Sequence, residues 1–303
     1  MSKENDMPIE LFPGFSSVSL PTSGGDLYAR VGGPVDAPAL VLLHGFPQSH
    51  LCWHPLAEDL ARDFRVIALD LKGYGRSAAP AGDGGRHTYA KRTMAAEVVE
   101  FMGQLGHERF SVAGHDRGAQ VAYQMALGMP EHVERLAILD NLPVHAVWDL
   151  IETTPGALPH WTEMALPTPQ AENALTVDAI ETLVRAHTGD GTLGCFSPVA
   201  FEQYRQTWRR PRNIHAFCED YRAGATTDRE ADDQDLKAGR TITCPTVIIW
   251  GAEFLGRGPE TPLDCWRRTF APDAFGVEVP KGHFVTEESP RETLIALRDL
   301  MAR

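Results

Sequence analysis

The segment FSVAGHDRGAQVAYQMA, residues 110–126, decides the fold. Its first half is a short apolar run of the kind that forms a buried strand, and its second half continues as a helix. Asp116 stands at the joint, with Gly114 and Gly118 on either side. That is a G-x-nucleophile-x-G turn, with Asp where Ser is usual. Small neighbours are needed because the turn is tight and strained, and the helix that follows aims its backbone N–H groups at the reacting centre. Taken alone, an Asp here also reads as a helix N-cap. The rest of the chain has to decide.

Working outward, short apolar runs alternate with helical patterns, which is the signature of a mainly parallel α/β sheet. The clearest strands are ALVLLHGF (39–46), RVIALDLKG (65–73), FSVAGHD (110–116), LAILDN (136–141), PTVIIWG (245–251) and GVEVPKGHF (276–284). A hairpin is expected between Ser17 and Val31, giving eight strands in all, and helices over 51–63, 90–106, 118–129 and 289–302. The last is amphipathic, with Leu294, Ala296, Leu297 and Leu300 toward the core. Between Pro143 and Ala238 the rhythm breaks into helical fragments rich in Trp, Tyr and His. We read residues 143–238 as a helical cap inserted after the sixth strand, and 1–142 with 239–303 as the core. A cap there covers the strand ends, where ligands bind in open α/β sheets.

Composition bounds the function. The 303 residues carry a net charge of −13, from 41 acidic against 28 basic side chains, which excludes the Lys/Arg clusters of a nucleic-acid partner. The same charge opposes an anionic substrate unless the pocket is locally positive. Cys52, Cys195, Cys218, Cys244 and Cys265 form no metal-ligand spacing, and their odd number argues for a reducing compartment. The start, MSKENDMPIELFPGF, has acidic residues where a signal peptide needs an apolar run, and no stretch approaches the roughly 18 apolar residues of a membrane span. A cytoplasmic enzyme with no membrane partner is expected.

The remaining chemistry falls in the chain order nucleophile, acid, histidine. His283 in PKGHF follows the last strand and is the general base. Asp140 closes LAILDN and is the orienting acid; Glu253 in WGAEF is the weaker choice, since the W-G-x-x-D position that often holds this acid is Phe254. HGFPQS (44–49) follows a strand, so the Phe46 and Arg117 backbone N–H groups are expected to hold a developing negative charge. An Asp nucleophile is poorly suited to acyl carbon, where it would give a mixed anhydride. At a saturated carbon bearing a leaving group it gives an ordinary ester, which a water deprotonated by His283 then hydrolyses. No metal or organic cofactor is implied; water is the only cosubstrate.

These segments give the chain the pattern of the α/β-hydrolase fold, and over essentially its whole length it resembles the fluoroacetate (haloacetate) dehalogenases. The likeness rests on HGFPQSHLCWH (44–54), LDLKGYGRS (69–77), GHDRGA (114–119), the His160–Trp161 pair, CEDYRAGA (218–225) and GHF (282–284). HGFP and GHD are shared with many relatives; Arg117, the His-Trp pair and CEDYRAGA are more specific. The resemblance implies hydrolysis of short 2-haloacids such as fluoroacetate or chloroacetate, with His160, Trp161 and Tyr221 donating to the departing halide. It also implies that Arg117 holds the substrate carboxylate, and that the chain is a homodimer. One departure bears on the substrate: where the family has a second arginine one turn after the nucleophile, this chain has Gln120. Gln120 still donates but brings no charge, lowering carboxylate affinity by about 1–3 kcal/mol. His145 is a rival for His160, although no Trp follows it.

Two other functions remain in play. An epoxide hydrolase would use the same Asp116 with two cap tyrosines, for which Tyr221 and Tyr204 are available. A non-catalytic small-molecule receptor on the same scaffold would need none of the triad. Haloalkane dehalogenation fits less well, because a neutral apolar substrate has no use for Arg117.

Overall fold

The computed structural model describes residues 11–303; the acidic stretch 1–10 read above lies outside the described residues. Its strands are β1 (Ser16–Thr22), β2 (Gly25–Gly32), β3 (Ala39–Leu43), β4 (Arg65–Asp70), β5 (Phe110–His115), β6 (Val133–Leu139), β7 (Thr246–Gly251) and β8 (Phe275–Val279). They form one sheet in the order β1-β2-β4-β3-β5-β6-β7-β8. Pairing is antiparallel from β1 through β2 to β4 and parallel across the rest. The expected eight-stranded, mainly parallel sheet is present. Strands β3, β5 and β7 are buried at every residue, as strands covered on both faces must be.

The helices lie where the periodicity places them: α1 (His54–Leu60), α2 (Lys91–Gln104) and α3 (Arg117–Gly128) among the first six strands. After β6 comes the helical insertion α4 (Val144–Thr153), α5 (Pro159–Met164), α6 (Gln170–Ala174), α7 (Val177–His187), α8 (Pro198–Trp208), α9 (Pro211–Ala223) and α10 (Arg229–Lys237). The core resumes with α11 (Pro262–Thr269), α12 (Val285–Glu288) and α13 (Pro290–Met301). On α13 the buried face is Thr293, Ala296, Leu297 and Leu300, with Leu294 half-buried. No helix among the described residues is long and apolar enough to cross a membrane.

Several strands stop short of their sequence pattern. ALVLLHGF leaves the ladder after Leu43, LAILDN after Leu139 and GVEVPKGHF after Val279. The residues beyond are the site's loops. The chain steps to one side from β3 to β4 and then crosses back over β3 to β5 on the other, so β3 and β5 flank the switch point where a crevice opens at the strands' carboxyl ends. Residues 44–48 and Asp116 emerge on its two sides.

Close packing at this point leaves no room for side chains. A Cβ on Gly118 would stand 2.3 Å from the His44 carbonyl oxygen and 2.4 Å from that of Leu43. Gly118→Ala must therefore lift α3 off the end of β3. We expect a loss of about 1–3 kcal/mol in urea unfolding; an unchanged midpoint would contradict this account of the packing.

Candidate active site

Asp116 directly follows β5 with φ 51° and ψ −117°, a backbone that L side chains rarely adopt. The sheet holds it there, because the Asp116 N–H donates to the Leu139 carbonyl at 3.1 Å. Gly45 makes the facing surface: a Cβ on it would lie 2.4 Å from the Asp116 side chain. His44 shapes that loop, donating from Nδ1 to the Gly45 carbonyl at 3.0 Å and accepting the Leu71 N–H at Nε2, also at 3.0 Å. Burial lowers the His44 ring to about 4, so it is neutral and can do both. The Phe46 N–H then donates to Asp116 Oδ1 at 2.8 Å. Arg117, the first residue of α3, has no helical carbonyl behind it, so its N–H is free to join.

The histidine and second acid complete the group. His283 Nδ1 donates to Asp140 Oδ2 at 2.6 Å, and His283 Nε2 stands 3.8 Å from Asp116 Oδ2. Asp140 is fixed by sheet and loop: its N–H bonds the Ile249 carbonyl at 2.7 Å, and its Oδ1 accepts the Gly251 N–H at 2.8 Å. Burial pushes the His283 ring down from its ordinary value, with the Asp116 carboxylate the largest opposing influence. A neutral His283 oriented by Asp140 is a base for a water, and 3.8 Å is too long for a direct bond to Asp116.

Two chambers meet at Asp116. The inner one encloses about 20 Å³, room for one water-sized group, and is lined by Phe46, His160, His187, Tyr221 and His283 among others. The outer one encloses about 450 Å³ under α4 and the loop 254–262. His160 faces both, and Trp161 the outer one. Burial lowers His160 to about 3, and it holds the Tyr221 hydroxyl far above its ordinary value, so one is a neutral imidazole and the other a protonated donor. The Tyr221 ring lies 5.5 Å from those of Trp161 and Phe46, centroid to centroid.

Arg117 is engaged differently from the sequence expectation. Its Nε reaches Asp220 Oδ2 at 3.1 Å, and its Nη2 reaches Asp220 Oδ1 at 3.0 Å and the Asp220 carbonyl at 2.7 Å. The guanidinium lies 4.2 Å from the Tyr221 ring centroid and 4.9 Å from that of Trp161. Neither Arg117 nor Gln120 lines either chamber. Arg117 Nη1 and both polar atoms of the Gln120 amide are buried without a partner among the described residues. The physical reason is Asp220, which already neutralises Arg117 and, with Tyr74 and Lys91 also bonded to it, is anchored in place. A charge held this way sits behind the aromatic donors rather than in the cavity.

Other candidates sort themselves by position. His145 is bonded to Asp233 at 2.5 Å and Asp149 at 3.0 Å on the outer cavity's wall. Tyr204 lines neither chamber; it is buried with its hydroxyl 3.4 Å from Glu287 Oε1. Two residues have a place at the site that the sequence did not give them. Phe254 packs on His283 with centroids 4.9 Å apart, in the place where an acid was sought. His187 carried no motif signal, yet it lines both chambers, and Nδ1 donation to the Leu183 carbonyl at 2.6 Å leaves its Nε2 lone pair unused. Among the described residues no group of three or more His, Cys, Asp or Glu is placed to hold a metal ion.

Comparison with known proteins gives the same neighbourhood. The model of one family, described as the alpha/beta hydrolase fold, matches residues 38–290. The chain is 35% identical to a fluoroacetate dehalogenase from Burkholderia sp over 295 residues, covering 96% of this chain and 95% of the other. It is 31% identical to a soluble epoxide hydrolase from Corynebacterium sp. (strain C12), covering 83% of this chain and 86% of that one. Among solved structures, a Nostoc sp PCC 7120 protein proposed to be an alpha/beta hydrolase superposes with a TM-score of 0.88 at 37% identity, covering 96% and 99% of the two chains.

Because Asp116 opposes the effect of burial on His283, removing its charge must lower that ring further. By NMR titration His283 should have its midpoint below 6.5, and Asp116→Asn should move it down again. A midpoint that rises in the variant contradicts the electrostatic picture.

Proposed function

The chain belongs to the alpha/beta hydrolase family and is a hydrolase, and on that premise we propose that it cleaves carbon–halogen bonds through an ester on Asp116. Asp116 Oδ2 attacks the carbon bearing the halogen, the C–X bond breaks, and its electrons leave with the halide. Oδ1 becomes the ester carbonyl oxygen, held by the Phe46 N–H and joined by that of Arg117. His283 then takes a proton from water, which attacks the Asp116 carbonyl carbon, and the alcohol leaves as the carboxylate is restored. Esterification removes the Asp116 charge that raises the His283 ring, so the base is most readily neutral at the step that needs it.

The observation that carries this reading is the inner chamber: a one-group space at Asp116 lined by Tyr221 and His160, with Trp161 in the adjoining outer chamber. A departing halide, fluoride above all, requires converging neutral donors. Short 2-haloacids such as fluoroacetate and chloroacetate are the simplest carriers, and the Burkholderia relative named for fluoroacetate supports them. Free cysteines throughout fit a reducing cytoplasm. An epoxide hydrolase would share Asp116 and His283, and relatives carry that name. It wants a second tyrosine beside Tyr221, and Tyr204 is committed to Glu287.

His283→Gln separates the two steps. It is expected to release halide from chloroacetate in one burst equal to the enzyme and then stop, with the carboxymethyl ester on Asp116 visible by mass spectrometry. Asp116→Asn should give neither burst nor turnover. Turnover retained in Asp116→Asn would sink the mechanism, and epoxide opening with no halide release would replace it with the epoxide reading. In the wild type, kcat should fall on the acid side only below pH 6.5, since burial lowers the His283 ring.

A further inference from the structure

The outer chamber is far larger than a haloacetate needs. Its volume of about 450 Å³ lies within the roughly 300–1,000 Å³ of pockets that enclose drug-sized ligands. Leu142, Val147, Leu150, Leu158, Trp161 and Leu255 give it apolar walls. Its basic side chains other than His283, His160 and His187 are partly or largely exposed and already paired: Arg257 with Glu253, Arg268 with Glu260, and His145 with Asp149 and Asp233. No arginine or lysine lines its inner end: Arg117 lies outside the chamber, with Nε and Nη2 on Asp220 and only Nη1 left over, and Gln120 is neutral and also outside. The chain's net charge of −13 further opposes an anion.

We infer that the preferred substrate is an uncharged α-halo carbonyl compound with an extended apolar group, such as an N-alkyl haloacetamide. The inference rests on the dehalogenase reading above. The halogen enters the inner chamber toward Tyr221, and the alkyl chain lies along the Leu142, Leu150 and Leu158 wall. The balance is unchanged: the Asp116 ester forms as halide leaves, and water returns a hydroxyacetamide, a halide and a proton. The chain's contribution is hydrophobic transfer, which grows with each methylene buried.

The test is chloride release by the full chain from chloroacetate, N-methyl chloroacetamide and N-hexyl chloroacetamide. Asp116→Asn supplies the background, which removes chloride freed by alkylation of the five free cysteines. The N-hexyl amide should exceed both others in kcat/KM by at least about tenfold. Leu150→Trp, which fills the chamber, should cost the N-hexyl amide a similar factor of about ten and leave the N-methyl amide within about threefold. Chloroacetate matching or beating the N-hexyl amide, or a rate indifferent to chain length, overturns the inference while leaving the aspartyl-ester reading standing. No chloride above background from any of the three overturns both.

Discussion

A carboxylate held on a strained turn is the constraint from which the rest of this structure follows. Asp116 sits at φ 51°, ψ −117°, a conformation that costs of order 1–3 kcal/mol and persists only where its surroundings over-determine it. Those surroundings are the β5–β6 ladder on one side and three glycines on the other. A Cβ on Gly114 would come within 2.4 Å of the Gly118 carbonyl, one on Gly118 would strike β3, and one on Gly45 would strike Asp116 itself. Each glycine lets backbone approach where any side chain would push Asp116 away. The loops after β3, β5, β6 and β8 then converge because the strands beneath them are in register.

The cap is joined to this core through polar contacts that also fix the reacting groups. The His283 backbone N–H donates to the His187 carbonyl at 2.9 Å, so the end of α7 holds the 281–284 loop directly. Glu288 gathers three N–H groups, from Gly189 at 2.7 Å, Gly282 at 3.1 Å and Phe284 at 3.0 Å, binding cap and loop together. Trp208 on α8 donates to the Pro47 carbonyl at 2.7 Å and steadies the segment that presents Phe46. Deeper still, Asp220 on α9 joins Arg117 on α3, Lys91 on α2 and Tyr74. Buried ion pairs of this kind add little net stability, but losing one partner strands a charge. Here they fix Arg117 against the Tyr221 and Trp161 rings, next to Asp116 in the chain.

Much of this was legible in the sequence, and the limits have a physical cause. Local patterns along the chain could be read: the elbow glycines around Asp116, the HGF loop after a strand, and the candidate acid Asp140, which the structure places on His283. Strand ends were overextended because apolar patterning continues into loops that the cap buries. Arg117 could be recognised as unusual, yet not as the partner of Asp220, since the two are 103 residues apart. The likeness included CEDYRAGA and so contained Asp220, but sequence gave no means to pair it. His187 went unread for the same reason. A single histidine on a cap helix acquires meaning only once α7 is laid against the 281–284 loop.

The most direct measurement of the central claim is a single turnover in oxygen-18 water with enzyme in excess over chloroacetate or a chloroacetamide. An ester on Asp116 transfers the protein's own oxygen to the product, so the first product should be unlabelled and oxygen-18 should appear in the peptide carrying Asp116. Label in the first product, with none at Asp116, would mean that water attacks the substrate directly and that Asp116 is not the nucleophile.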